Sequence, residues 1–418
     1  MSSKHVVVAH HFWGRPGGGQ IVCAAASYAF NVIGYEPVLA SVTKVEVDKY
    51  VDWFGIDLSK YPKFSLYGFR LRSFGIYLRL FIWKAIEKAV NEYGAQIVFT
   101  DESTYGPIKN FVENRGIALV EYIHFPIEIS IDERFRGTGL YYGEDPYILE
   151  RYSKFPMNMY WWLYTKLLPR YLRKNPFEIA KLVLANSKWT AELAKQVYGE
   201  KPEVLNPPIA PNVEIVSNPK SFDERENSVV MLGRFSEEKR YHWVIEEVLP
   251  KIRREAPNTK LYIFGGARTK TSMEYLKRLE DLASRKGFKT SRDVNVDADV
   301  YLVPDAPRNL INHVMDKSKA FLHATINEHW GIAVAEAMAR GLPVVVHKSG
   351  GAWSDLVEEG AYGLGYTNAE EAVSAILNLL TNENNSWRIY SRKSIEKSKN
   401  LTLENFVINL SRLLAKIL

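Results

Sequence analysis

Cysteine is almost absent from this chain. Among 418 residues there is one, Cys23, so no disulfide can form within the chain, and that usage fits a reducing compartment. Cys23 lies in the Ala-rich run Cys23-Ala24-Ala25-Ala26, where a small buried residue is expected rather than a nucleophile. No uninterrupted apolar run of about 20 residues occurs, so no transmembrane helix is expected. Lys4 leads almost directly into Val6-Val7-Val8-Ala9, which reads as a buried strand rather than a signal peptide. There is no internal repeat and no long low-complexity tract. Charge of one sign is not in large excess: the formal net charge of +6 suits anionic lipids, phosphorylated substrates or nucleic acid and selects none of them. No nucleic-acid-binding module is recognisable, so no nucleic-acid partner is expected.

What is present is an alternation of short apolar runs with helical patterns, in a chain long enough for about two domains. Strands are expected at Val6–Ala9, Pro37–Ser41, Ile97–Thr100, Ala118–Ile123 and Lys181–Ala185. Helices are expected between them at Gly19–Gly34, Gly75–Tyr93, Pro107–Arg115, Asn158–Lys174 and Thr190–Tyr198. The segment Asn206-Pro207-Pro208-Ile209-Ala210-Pro211-Asn212 cannot continue a helix or a central strand and marks a linker. The alternation then restarts, with strands at Val229–Leu232, Leu261–Phe264, Val300–Val303, Ala320–Ile326 and Pro343–His347. Helices are expected at Tyr241–Ala256, Ser272–Lys286, Leu310–Lys317 and Gly331–Arg340, then on to Leu418. Such alternation implies α/β architecture with parallel sheets covered on both faces. The boundaries read as 1–212 for a first domain and 213–402 for a second.

Five stretches carry chemistry. Gly14-Arg15-Pro16-Gly17-Gly18-Gly19 joins the first strand to the first helix. It is neither Gly-x-Gly-x-x-Gly nor a P-loop, but bare backbone at a helix start suits a negatively charged ligand. Gly233-Arg234-Phe235-Ser236-Glu237-Glu238-Lys239-Arg240 follows the first strand of the second domain. There an arginine fork and a lysine point charge would counter a departing diphosphate. Leu261-Tyr262-Ile263-Phe264-Gly265-Gly266 is a strand ending in glycines. Ser349-Gly350-Gly351 follows another strand, and its amides are expected to face phosphate. Finally, Glu328 and Glu336 stand eight positions apart, the first leaving a strand and the second inside a helical pattern, so both can reach the crevice at a sheet's carboxyl edge. His124 ends the strand Ala118–Ile123 before Phe125-Pro126, while Asn186-Ser187-Lys188-Trp189-Thr190 reads as a helix cap. Asp297-Ala298-Asp299 and His329 invite metal readings and are discounted, so no metal and no cofactor beyond a substrate are expected.

The segment Asn327 to Gly341 resembles the Glu-x7-Glu motif of retaining glycosyltransferases of GT-B architecture, in the group 1 or family 4 type. Together with Ile123-His124-Phe125-Pro126, Asn206-Pro207-Pro208, the Gly233–Lys239 stretch and His347-Lys348-Ser349-Gly350-Gly351, it is similar to the branch of dolichol-linked-oligosaccharide α-1,2-mannosyltransferases. The resemblance runs from Val6 to about Val357. It implies two doubly wound Rossmann-like domains facing a cleft, the first for acceptor and the second for nucleotide sugar, with the helix Leu403–Leu418 crossing back to the first. It further implies GDP-mannose as donor, a polyprenyl-linked glycan as acceptor, retention of configuration and no metal. Glu328, Arg234, Lys239 and His124 become the catalytic set, His124 lying near the reacting sugar. Gly18, Gly19, Gly265, Gly266, Gly331, Ile332, Glu336, Gly350 and Gly351 become the donor-binding set. The chain departs from the family in carrying Gln20 after its glycines where an acidic residue is common, and the N-terminal membrane anchor usual in eukaryotic members is not expected before the first strand. A UDP-sugar donor is the main alternative, and a non-catalytic sugar-nucleotide-binding protein a lesser one.

Residues 151–177 hold six Lys or Arg side chains and no Asp or Glu, interleaved with aromatics including Phe155, Trp161 and Trp162. Residues 69–88 repeat the mixture with Arg70, Arg72, Arg79, Lys84 and Lys88 among Phe74, Tyr77, Phe81 and Trp83. Basic heads beside interfacial aromatics suit an anionic membrane surface, so a cytoplasmic protein peripheral on the cytosolic face of a membrane is expected.

Overall fold

The computed structural model describes residues 4–14, 17–69, 75–103, 106–141, 143–167 and 175–418. It forms two compact units: Met1–Asp132 with Lys154–Asn212 and Leu401–Leu418, and Glu133–Ser153 with Val213–Asn400. The segment 133–153, which the sequence boundaries put in the first unit, clusters with the second. There the Glu150 carboxylate accepts from the Glu237 N–H (3.0 Å), and the Asn327 side-chain amide donates to the Thr138 carbonyl (3.1 Å).

In the N-terminal unit seven parallel strands are β1 (Lys4–Ala9), β2 (Tyr35–Ser41), β3 (Lys63–Ser65), β4 (Ile97–Thr100), β5 (Ala118–Ile123), β6 (Leu182–Ala185) and β7 (Glu203–Val204). Their order is β3-β2-β1-β4-β5-β6-β7. Val6, Val7, Val8 and Ala9 are wholly buried, as a central parallel strand covered on both faces requires. The helix Gln20–Val32 buries Cys23 with its alanines. The last helix, Leu403–Leu414, buries Leu403, Phe406, Leu410, Leu413 and Leu414 at helical spacing and packs on Gln20–Val32. Expected helix Gly75–Tyr93 breaks at a 3₁₀ turn, Arg79–Phe81, and expected helix Asn158–Lys174 runs as Met157–Leu167, with 168–174 outside the described residues.

The C-terminal unit repeats the plan with β8 (Glu226–Leu232), β9 (Lys260–Gly265), β10 (Thr290–Ser291), β11 (Val300–Pro304), β12 (Ser318–His323), β13 (Val344–His347) and β14 (Leu364–Tyr366). All pair in parallel, in the order β10-β11-β9-β8-β12-β13-β14. Helix Tyr241–Glu255 contains a π turn at Val244–Val248, just before Pro250, whose ring nitrogen cannot donate to the preceding turn. Expected strand Ala320–Ile326 ends earlier, at His323. Ile326 is exposed and Asn327 takes a left-handed φ of +55°, so the chain turns out of the sheet and folds Glu328 back towards the strand end.

Candidate active site

The carboxyl ends of four adjacent strands of the C-terminal unit, β9, β8, β12 and β13, carry most of the residues singled out in the sequence. Close approach of backbone explains several glycines. The Gly233 N–H donates to the Phe264 carbonyl and the Phe235 N–H to the Gly266 carbonyl, both at 3.0 Å, which seals the β8 turn against the β9 turn. A Cβ at Gly265 would stand 1.7 Å from the Gly233 carbonyl oxygen, which no side chain tolerates. Gly350, at φ +75°, is the second such position, for its Cβ would lie 2.2 Å from the Glu328 carbonyl oxygen. The N–H of Gly351 is spent on that same carbonyl at 2.7 Å, so the expectation that it faces phosphate gives way to a structural use: it holds the Glu328 turn. Ser349 Oγ accepts from the Asn327 N–H at 2.8 Å and completes the clamp. Gly350→Ala is therefore expected to lower the thermal midpoint by several degrees, about 2–3 kcal/mol, and to impair any function of Glu328; an unchanged melting curve would remove this role.

Glu328 is the centre of the site. Its Oε2 accepts from Lys239 Nζ at 2.8 Å and from His323 Nε2 at 2.9 Å. No hydrogen bond from the described residues reaches Oε1. Burial pushes the carboxyl towards the neutral form, but Lys239 and His323 outweigh it and hold the group well below the usual carboxylate range. Burial also pulls the His323 pKa down, so a neutral imidazole donates its Nε2–H. Arg234 stands apart from this trio, 59% exposed, paired with Glu238 Oε1 at 3.1 Å. Gly331 precedes helix Ile332–Ala339 at φ +99°. Inside that helix Glu336 is buried, and both its oxygens are held by the guanidinium of Arg308, at 2.9 and 3.2 Å. Of Asp297 and Asp299, the first is an exposed carboxylate and the second binds the Lys289 N–H and Arg253.

The N-terminal unit gathers a second group at the carboxyl ends of β1, β4 and β5. Asp101, directly after β4, accepts from His10 Nδ1 at 2.7 Å and from His124 Nε2 at 3.0 Å. Beside it Glu102 binds His11 Nδ1 and lies 3.4 Å from Arg79 Nε. Gly18 is exposed, and Gly19, at the start of the first helix, lies against His124 and Asp101. The turn after His124 is fixed by Asn186, whose amide donates to the His124 carbonyl at 3.0 Å, while Ser187 caps the next helix as expected. Arg15 and Pro16 lie outside the described residues.

Burial works to raise the Glu102 pKa, yet His11 and Arg79 bring it from 4.5 to about 2. A carboxyl depressed on folding stabilises the protein above its unfolded pKa and loses that contribution as pH falls through the folded value. Glu102→Gln is thus expected to flatten the fall in stability between pH 4.5 and about 2, read as urea midpoints; an unchanged slope would refute the coupling.

Sequence reasoning found Lys239, Glu328 and His124 but missed His323, Arg308, His10, His11, Asp101 and Glu102. His10, His11, Asp101 and Glu102 each follow a strand end within two residues, the one signal that would have drawn attention to them.

Residues 212–397 match the family model described as Glycosyl transferases group 1. The chain is 23% identical over 360 residues to the GDP-Man:Man(3)GlcNAc(2)-PP-Dol alpha-1,2-mannosyltransferase of Dictyostelium discoideum, covering 82% of this chain and 65% of that protein. It is 24% identical over 369 residues to the protein of the same name from Xenopus tropicalis, covering 84% and 70%. The chain thus spans about two thirds of the length of these relatives. Among solved structures, Anabaena HepE in complex with UDP and glucose superposes with a TM-score of 0.65 at 17% identity, covering 99% of this chain and all of that one. The fold is GT-B, two Rossmann-like parallel-sheet domains, as the resemblance implies.

Proposed function

We propose that this chain, whose residues 212–397 match the group 1 glycosyltransferase model, is a retaining, metal-independent hexosyltransferase that moves mannose from GDP-mannose onto a polyprenyl-linked glycan. The carrying observation is the Lys239–Glu328–His323 cluster: one carboxylate oxygen is saturated by two donors and the other is left for a sugar hydroxyl. The names of the relatives support the donor and acceptor.

Departure of the nucleoside diphosphate leaves negative charge on phosphate oxygens and an oxocarbenium-like sugar. Lys239 and the exposed Arg234, which exchanges its pairing with Glu238 for phosphate, stabilise that charge. Glu328 Oε1 orients the sugar hydroxyls and its negative charge favours the cationic sugar. A phosphate oxygen takes the acceptor's proton on the same face, which retains configuration. Glu336 accepts from the ribose hydroxyls through lone pairs that Arg308 leaves unused. Gly265, Gly266, Gly331, Ile332 and Gly350 shape the donor's surroundings in the C-terminal unit, and Gly18, Gly19 and His124 are assigned to substrate contacts of the N-terminal unit. Proton NMR of the product checks the stereochemistry: an α-mannoside is expected, and a β-mannoside would refute the reading.

The acceptor's lipid motivates a second part of the proposal, peripheral attachment to a membrane. Among the described residues no helix is long and apolar enough to cross one. Tyr77 Oη donates to the Tyr160 carbonyl at 2.7 Å, so the two basic-aromatic stretches adjoin. Trp161 and Tyr164 are core residues, which disposes of part of the expected patch, whereas Phe155, Met159, Trp162, Leu163 and Phe81 are exposed beside Lys154, Lys166 and Lys84. Arg70, Arg72, Phe74, Arg170, Tyr171, Arg173 and Lys174 lie outside the described residues. Replacing Phe155 and Trp162 together by Ser is expected to weaken co-sedimentation with anionic liposomes about tenfold or more. Failure of the unaltered protein to sediment at low salt would refute attachment.

A further inference from the structure

Asp101 holds two imidazoles at once, and the reaction proposed above gives it no role. Its carboxylate is 1% exposed, with Oδ1 on His10 Nδ1 and Oδ2 on His124 Nε2. An ionised carboxylate has no proton to give, so the imidazole nitrogens facing it carry the hydrogens. For His124 that leaves Nδ1, which no described residue bonds, on a side chain that keeps 29% of its surface exposed. We propose that Asp101 is a positioning residue: it locks His124 in the Nε2–H tautomer and leaves Nδ1 as a hydrogen-bond acceptor for a substrate hydroxyl. The role in transfer rests on the transferase reading; the tautomer does not.

The surroundings keep Asp101 ionised. His10 from the end of β1 and Cys23 from the first helix meet its carboxylate, Gln20 Nε2 lies 3.2 Å from His10 Nε2, His11 and Arg79 lie against the neighbouring Glu102, and Tyr122 lies edge-on to His124 with ring centroids 5.0 Å apart. Burial opposes the charge, but His10 and His124 hold the carboxyl well below its ordinary range. Burial also pulls His10 down, and Asp101 with Glu102 more than reverses it, so the His10 pKa is raised. Burial lowers the His11 pKa.

Histidine ¹⁵N NMR of the substrate-free protein above neutral pH tests the tautomer directly. The Nε2–H form is expected for His124, and an Nδ1–H signal overturns the proposal. Asp101→Asn keeps the shape but presents an amide that donates to Nε2, so the tautomer is expected to reverse. The kcat/KM for transfer should fall about a hundredfold through the mismatched hydroxyl contact. Reversal of the tautomer with unchanged kcat/KM, or an unreversed tautomer, overturns the positioning role. Should the variant fail to fold, the spectrum of the unaltered protein still decides. If that protein transfers no sugar, the functional reading fails while the spectrum still reports on Asp101.

Discussion

Glu328→Gln is expected to reduce sugar transfer by about 10³-fold or more, roughly 4 kcal/mol of transition-state stabilisation, while the protein stays folded. The amide fills the same space, so the Gly351 N–H keeps its hold on the backbone carbonyl. What disappears is the charge. One oxygen of Glu328 answers both Lys239 and His323; in the amide, one terminal atom becomes a donor and meets either a donor or the incoming sugar hydroxyl with the wrong polarity. Lys239 loses its counter-ion and the cationic sugar loses its nearest negative charge. Steady-state kinetics with GDP-mannose and circular dichroism on one preparation check this. Near-normal kcat from a folded variant would remove Glu328 from the reaction.

Lys239→Ala is expected to cost about 10²–10³-fold in kcat, the scale of one lost preorganised charge contact to a leaving group. It differs from Glu328→Gln in its effect on the free protein. Lys239 is the largest influence holding the Glu328 carboxyl below its ordinary range. A carboxyl so depressed adds stability above its unfolded pKa and loses it as pH falls through the folded value. Without Lys239 that contribution shrinks at neutral pH, and the variant is less stable by about 1 kcal/mol, the pair being partly exposed. At pH 3, as the contribution fades in the unaltered protein too, the difference should narrow. Urea unfolding at both pH values checks it. An equal difference at both would show that the Lys239–Glu328 pair is not the cause.

The fold was legible where the sequence is apolar. All ten expected strands are central ones, such as Ile97–Thr100 and Ala118–Ile123, buried on both faces. The four strands not expected, Lys63–Ser65, Glu203–Val204, Thr290–Ser291 and Leu364–Tyr366, are the four sheet edges. They are two or three residues long and partly solvated, and apolar patterning carries no trace of them. The site was legible where spacing and residue type coincide: Lys239 and Glu328 meet at 2.8 Å across 89 positions of sequence. Partners that are single, common residues were not. In the sequence His323 lies inside the expected strand Ala320–Ile326, Arg308 before the expected helix Leu310–Lys317 and Asp101 just after the expected strand Ile97–Thr100; their importance arises from pairing in the folded chain. Gly265 and Gly351 are spent on holding neighbouring loops together, a demand that only the folded backbone reveals.

The most direct measurement is acceptor-dependent release of nucleoside diphosphate from matched GDP- and UDP-sugars, with a polyprenyl-linked glycan acceptor and Glu328→Gln as control. The expected result is GDP released from GDP-mannose only when acceptor is present, with the control silent. Release of UDP instead, or of GDP undiminished by Glu328→Gln, would contradict a GDP-mannose-dependent transferase centred on Glu328.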